Sequence, residues 1–321
     1  MAEIQEQLTS YLTDAHSIEE QALSQLRQAP SIAQVEGLSA AFRDHLAETE
    51  GHERAVARLL EQRDASPSWF KDAVMRLGGK GFIFFAKVNP DTPGKLLAHA
   101  LSYEALEEAS YRLLALVAEQ GEDDEVVATA KRIGDEEVAM QRRLAAHFDA
   151  AVAASLAAVE SDDLGEQLRR YLADAHAIEM QSIGLLERAA TPDSGKLADA
   201  YEQHLVETRE HAETIEARLD ALGGDPSSLK DAAMRAGAIN WAAFFGAHPD
   251  TPGKLAAFAY AFEHLEIGGY EQLERVAGRA GDDETVAVAR TILEQERDAA
   301  AMLKAAFPEA ARLALGARAA R

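Results

Sequence analysis

The stretch Phe42–Arg54, FRDHLAETEGHER, decides how this chain is read. In a helix, His45, Glu48 and His52 recur at spacings of three and four and fall on one face. Leu38, Phe42, Val56 and Leu59 continue that line on either side, so the face is apolar except for a polar break at its middle. A carboxylate buried without a partner is strongly destabilising, and a metal ion or a full set of hydrogen bonds is what ordinarily offsets it. The break points first to metal, and second to a buried hydrogen-bonded network.

The rest of the composition suits that reading. A chain of 321 residues with 47% hydrophobic content is long enough for two domains with real cores. Ala, Leu, Glu and Arg dominate, β-branched residues are sparse, and no alternating strand pattern with hairpin punctuation is visible, so the expected class is all-α. A formal charge of −23 argues against nucleic acid or an anionic membrane surface as partner and favours cations. With no cysteine there is no disulfide, no thiolate site and no cysteine nucleophile, so any metal must take oxygen and nitrogen ligands. The opening MAEIQEQLTSYLTDA lacks a basic start and an apolar core, and no window has the roughly 18 apolar residues of a membrane span. The expectation is a cytoplasmic protein with no membrane partner.

Sliding the sequence on itself exposes a duplication. YLTDAHSIEEQ at Tyr11 returns as YLADAHAIEMQ at Tyr171, HLAETEGH at His45 as HLVETREH at His204, and NPDTPGKL around Asp91 as HPDTPGKL around Asp250. The offset stays at 159 or 160, so the chain divides into copies 1–160 and 161–321. Each copy reads as four long helices with one long connection between the second and third, the connectivity of ferritin-like bundles. Helix one is expected to stop at Pro30, with Ser31 and Gln34 forming a capping box for helix two, which ends near Asp64. Thr92 and Pro93 open helix three, the acids Glu122, Asp123 and Asp124 favour the start of helix four, and that helix is expected to reach towards Ala158. Between helices two and three, GGKG near Gly78 reads as a turn. Phe82, Phe84 and Phe85, answered by Trp241, Phe244 and Phe245, read as a cover for the bundle's side. Arg312, Arg318 and Arg321 read as a frayed basic tail.

Each helix has an acid interrupting its apolar stripe. Leu8, Leu12, Leu23 and Leu26 frame Glu19, with His16 a turn earlier; helix two supplies Glu48 between His45 and His52; helix three places Glu104, Glu107 and Tyr111 in line; and Ala130, Ile133, Met140 and Leu144 select Glu137 over Glu136 as inward. The second copy repeats this with Glu179 and His176, then His204, Glu207 and His211, then Glu263, Glu266 and Tyr270, and finally Glu296. Glu20 becomes Met180 and Glu136 becomes Gln295, so acids read as outward have drifted while inward ones have not.

The order H-x-x-E, H-x-x-E-x-x-x-H, E-x-x-E-x-x-x-Y and a lone inward Glu, in YLTDAHSIEEQ, HLAETEGH, YEALEEASY and GDEEVAMQRRL, resembles the ferritin-like domain family of the YciF type, related in fold to ferritins and rubrerythrins. The resemblance covers nearly the whole chain twice. It implies four-helix bundles with a di-iron carboxylate site and a role in stress response or metal handling. Two departures stand out from the Glu-x-x-His pattern of such sites: Glu48 and His52 are four apart, and Glu137 has no histidine three residues later.

The resulting expectation is two bundles forming a pseudo-dimer within one chain, with higher oligomers left open. The ligand set is Glu19, Glu48, His52, Glu104, Glu107 and Glu137 in the first copy, and Glu179, Glu207, His211, Glu263, Glu266 and Glu296 in the second. Glu48 and Glu107 are candidate bridges, Tyr111 and Tyr270 candidate redox or shielding groups, and His16, His45, His176 and His204 supporting or core histidines. An oxygen-rich donor set suits iron, with manganese as alternative. Iron would make oxygen or peroxide the reaction partner. A buried polar network without turnover and a metal-buffering module are the rival readings.

Overall fold

The computed structural model describes residues 2–65, 92–190, 197–224 and 251–319. Among them the chain is all-helical, with no strand, and it divides into two compact units, 1–155 and 156–317. No helix among the described residues is long and apolar enough to cross a membrane. The segments expected to carry the glycine turn near Gly78 and the aromatic runs at Phe82–Phe85 and Trp241–Phe245 lie outside the described residues.

In the first unit the helices are α1 (Ala2–Leu26), the single turn α2 (Ala29–Ile32), α3 (Glu36–Glu61), α4 (Thr92–Gln120), α5 (Asp124–Ala145) and α6 (Phe148–Ser155). Helix α1 packs on α3 and α4 on α5, and the two pairs close on each other through α1 with α4 and α3 with α5. The stripe Leu8, Leu12, Leu23 and Leu26 of α1 is buried, as are Leu38, Phe42, Val56 and Leu59 of α3 and Ala130, Ile133, Met140 and Leu144 of α5. These recur every three or four residues, so one face of each helix meets the common core.

The helix ends depart from the expected capping. Ser31 and Gln34 form no capping box: Ser31 Oγ donates to the Gln28 carbonyl at 2.8 Å, Gln34 takes a positive φ of 53°, and α3 starts after Val35 without a side-chain cap. Pro30 fits the first turn of α2, where a missing N–H costs nothing, and therefore starts a turn as well as ending α1. At α5 the expected acid does cap: Asp123 accepts the Val126 N–H at 3.1 Å and also pairs with Arg63 just beyond α3, tying two helix ends together.

The fourth helix does not run on to Ala158. It breaks at Ala146–His147 and resumes as α6, whose Ser155 Oγ accepts the Gly94 N–H at 2.9 Å and so holds the start of α4.

The second unit contains a 3-10 turn (Ser161–Asp163), α7 (Leu164–Ala189), α8 (Leu197–Ala221), α9 (Thr251–Ala280) and α10 (Asp283–Ala319). Helix α7 packs on α8 and α9. Asp282 caps α10 through the Thr285 N–H at 2.8 Å and holds Arg218 of α8 at 2.9 Å, repeating the Asp123 arrangement with an arginine from a different position. Helix α10 stays continuous through Pro308, so the expected frayed tail is corrected: Arg312 lies inside a helix and pairs with Glu309 at 2.7 Å. The Arg318 and Arg321 side chains lie outside the described residues.

Candidate metal centre

Glu19 of α1, His45 and His52 of α3, Glu104 and Glu107 of α4 and Glu137 of α5 are each at most 3% exposed. Each occupies a position in a stripe otherwise filled by Leu, Phe, Ile or Met, so helical phase drives all of them into one interior. His45, Glu104, Glu107 and Glu137 form one group with donor atoms within 4.8 Å of one another, and Glu19, His52 and Glu137 form a second. Glu137 belongs to both.

His45 Nε2 lies 2.9 Å from Glu104 Oε2 and 3.3 Å from Glu137 Oε2, and His52 Nδ1 lies 3.0 Å from Glu137 Oε1 and 3.8 Å from Glu19 Oε1. These contacts lack hydrogen-bond alignment. Glu19 Oε2, His45 Nε2, His52 Nδ1, Glu104 Oε2 and both carboxylate oxygens of Glu107 and Glu137 are buried with no hydrogen-bond partner. Leaving one such group unsatisfied costs about 1–3 kcal/mol, more when charged, so a converging set of them needs a common partner. Two ligands of one ion at right angles and about 2.1 Å from it sit about 3 Å apart, which is the spacing found between the imidazole nitrogens and their nearest carboxylate oxygens. The residues present therefore fit a bound cation.

The second half reproduces the arrangement. His204, Glu263, Glu266 and Glu296 form one group and Glu179, His211 and Glu296 the other, so Glu296 is shared as Glu137 is. His204 Nε2 is 2.8 Å from Glu263 Oε2, and His211 Nδ1 is 2.8 Å from Glu296 Oε1. Buried atoms without partners recur at Glu179 Oε2, His204 Nε2, His211 Nδ1, Glu263, Glu266 Oε1 and Glu296.

Glu48 does not enter the cluster. A helix turns about 100° per residue, so Glu48 lies about 60° to one side of His45, while Thr49 lies about 40° to the other side and is buried. From that flank the Glu48 side chain, 37% exposed, pairs with Arg143 of α5 and accepts from His45 Nδ1 at 2.8 Å. Glu207 is placed alike, 36% exposed and 3.5 Å from His204 Nδ1. Glu136 points outward at its Cα, yet its carboxylate reaches His52 Nε2 at 2.6 Å, and Gln295 Oε1 stands 3.1 Å from His211 Nε2.

These outer acceptors decide which imidazole nitrogen faces inward. An ionised carboxylate can only accept, so the outer nitrogen keeps a proton, and it is the inner nitrogen, facing the cluster, that would give up its proton to a bound cation. His45 and His204, expected as supporting groups, thus have the same inward aim as His52 and His211. Tyr111 and Tyr270 donate to Glu19 Oε1 and Glu179 Oε1 respectively, leaving the other oxygen of each acid for the cluster.

The electrostatics mark these acids as crowded. Burial, followed by the charge of Glu137, pushes Glu19 up to about 8; burial pushes Glu104 up to about 7, and it raises Glu107 well above the usual carboxylate range. In the second half burial likewise takes Glu263 to about 8 and raises Glu179 and Glu266 well above their ordinary values. Glu137 goes the other way, to about 2: burial opposes its charge, but the two imidazoles of His45 and His52 against it outweigh that burial. Burial opposes a charge on His45, but Glu104 beside it holds the imidazole well above its usual value. In the metal-free bundle, protons occupy positions where a cation would sit.

His16 and His176 stand apart from these clusters. His16 groups with Glu20 and Glu53, its Nε2 3.2 Å from Glu53 Oε1; Met180 and Ala212 fill the two acid positions in the second half, so that group is not duplicated. Glu108, which the apolar-stripe reading did not single out, is fully buried and is held by Arg112 at 2.6 Å and Gln141 at 3.0 Å. The family model described as a domain of unknown function (DUF892) matches residues 3–157 and again residues 163–315. The two helical units, each with its buried histidine–glutamate cluster, accordingly carry one domain present twice, and the chain belongs to the DUF892 family, the ferritin-like domain of YciF type.

Proposed function

We propose that each half is a dinuclear carboxylate centre that binds iron, with manganese as the alternative, and that the protein serves in metal handling or the response to oxidative stress. The supporting observation is the set of partnerless donor atoms, contributed by every long helix of a half, around one shared glutamate. In the first half His45, Glu104 and Glu107 hold one ion, Glu19 and His52 the other, and Glu137 lies between them. Glu48 and Glu136 orient the two imidazoles from outside. In the second half His204, Glu263 and Glu266, then Glu179 and His211, with Glu296 between, take the same roles. Residues 1–160 and 161–321 act as separate domains in this scheme.

Four carboxylates and two imidazoles favour hard cations over zinc or copper. When bound as a pair, Fe(II) supplies two electrons, enough to take one peroxide and two protons to two waters. Glu19 and Glu104, protonated near neutral pH in the metal-free state, release protons as the ligand set fills. Tyr111 holds Glu19 in one orientation and closes the interior on that side; Tyr270 does the same for Glu179.

The test is the metal content of protein purified without chelator and then reconstituted anaerobically with Fe(II). About four ions per chain is the expected result. Fewer than one tightly bound ion per chain would leave a buried polar network in place of a metal centre. Peroxide or oxygen consumed by the Fe(II)-loaded protein, at one peroxide per two Fe(II), separates turnover from buffering.

A further inference from the structure

We propose that the two centres are not equivalent: the first half holds its ions more tightly than the second, because its two ligand histidines are backed by charged, arginine-held carboxylates. This rests on the metal-binding reading above. The inward donor sets are identical in kind, and the contacts behind the two ligand histidines set the halves apart.

Those contacts differ at both histidines. His52 Nε2 donates to the Glu136 carboxylate at 2.6 Å, and Arg132 holds that carboxylate at 2.9 Å. Its counterpart His211 faces the neutral carboxamide oxygen of Gln295 at 3.1 Å, and Thr291 stands where Arg132 stood. His45 Nδ1 donates to Glu48 at 2.8 Å, with Arg143 clamping Glu48. His204 lies 3.5 Å from Glu207, and Met302 takes the place of Arg143.

A cation bound to the inner nitrogen draws electron density through the ring and makes the outer N–H more acidic. The outer hydrogen bond then strengthens, and an ionised acceptor strengthens it about twofold more than a neutral one. An anionic acceptor thereby raises the donor power of the ligand, and losing such a partner typically weakens metal binding about 10–100-fold. Arg132 and Glu136 are 50% and 38% exposed, so solvent screens the arginine's neutralising effect on the acceptor. The consequence is a chain that fills in two stages as cation concentration rises, the first half loaded while the second still exchanges.

The experiment isolates each centre within the full chain. Glu296→Ala leaves the first centre and Glu137→Ala leaves the second; both are titrated with Mn(II), reading the free ion by its six-line paramagnetic resonance signal. The first centre should bind at least about tenfold more tightly. Glu136→Gln in the Glu296→Ala background should weaken it by about tenfold, and Gln295→Glu in the Glu137→Ala background should tighten the second by a similar factor. Met302→Arg should add to that gain by clamping Glu207. Both swapped positions reach the surface, and Gln295 is exposed, so the swaps leave the core packing alone. Equal affinities of the two centres, or swaps that change neither, overturn the proposal while leaving the metal reading intact. No Mn(II) bound at either centre overturns both.

Discussion

At the scale of single residues, Glu137 and Glu48 make the sharpest contrast. Both are acids near His45, but Glu137 is fully buried between two histidines and Glu48 is a rim residue held by Arg143. Glu137→Ala should therefore empty the first half of both ions, whereas Glu48→Ala should retain them with affinity lowered about 10–100-fold, as measured by metal content after dialysis against a graded chelator. Equal loss from both variants would put Glu48 inside the centre. Tyr111→Phe removes the hydroxyl donated to Glu19 and should lower the stability of the metal-free protein by about 1–3 kcal/mol, visible in urea denaturation, with metal stoichiometry unchanged. The burial of Glu19, Glu104, Glu107 and Glu137 was legible in the sequence because interruption of an apolar stripe is a property of helical phase alone. The placement of Glu48 was not, since a spacing of three from His45 lies at the edge of the buried arc. Neither was the inward aim of His45, which depends on an outer acceptor that fixes one ring nitrogen, nor the contact of Glu136, whose outward Cα conceals a side chain long enough to reach back.

Helices and their ends followed local rules only in part. Asp123 stands at the start its chemistry favours and Thr92 and Pro93 are the first two residues of α4, but the Ser31–Gln34 box is absent because Pro30 begins a turn of its own and the chain then needs a positive φ at Gln34. The break at Ala146–His147 carries no glycine or proline, so no local signal announced it. The duplicated sequence offers a test at this point: Pro308 stands where the first half has Asp149, the second residue of α6. Proline in a first turn loses no helical hydrogen bond, whereas in a helix interior it costs about 3 kcal/mol or more. Asp149→Pro should thus leave the melting temperature nearly unchanged, and Met140→Pro, in the middle of α5, should unfold the first half. A large loss from Asp149→Pro would mean that α5 and α6 act as one helix.

For the whole molecule, the duplicated clusters make the stability of the metal-free protein depend on pH with a definite sign. Glu19 and Glu263 are raised to about 8 and Glu104 to about 7, chiefly by burial, and His204 is raised to about 10 because the attraction of Glu263 outweighs burial. A group raised in the folded state contributes stability that is fully present below its unfolded value and is lost as pH rises through the folded one. For the glutamates that loss runs from about pH 4.5 to about pH 8. Glu137 and Glu48, lowered to about 2, act oppositely and give up their contribution only as pH falls towards that value. Stability should accordingly peak near pH 5 and decline towards pH 8. The net charge of −23 tilts the curve the same way, so a control is needed. Glu104→Gln with Glu263→Gln removes one inward acid per half, and Glu61→Gln with Glu210→Gln removes one exposed acid per half. In chelator-treated protein the inward pair should flatten the fall in melting temperature between pH 5 and pH 8 by several degrees, about 2–4 °C per kcal/mol for domains of this size, and the exposed pair far less. Added metal should reverse the slope, because a cation prefers deprotonated ligands and stabilises the native state by mass action, by about 2.7 kcal/mol at a hundredfold excess over Kd. In the loaded protein the inward pair should then destabilise. Identical pH curves for the two pairs, with no gain on adding metal, would show that the buried acids carry no linked protons and hold no cation.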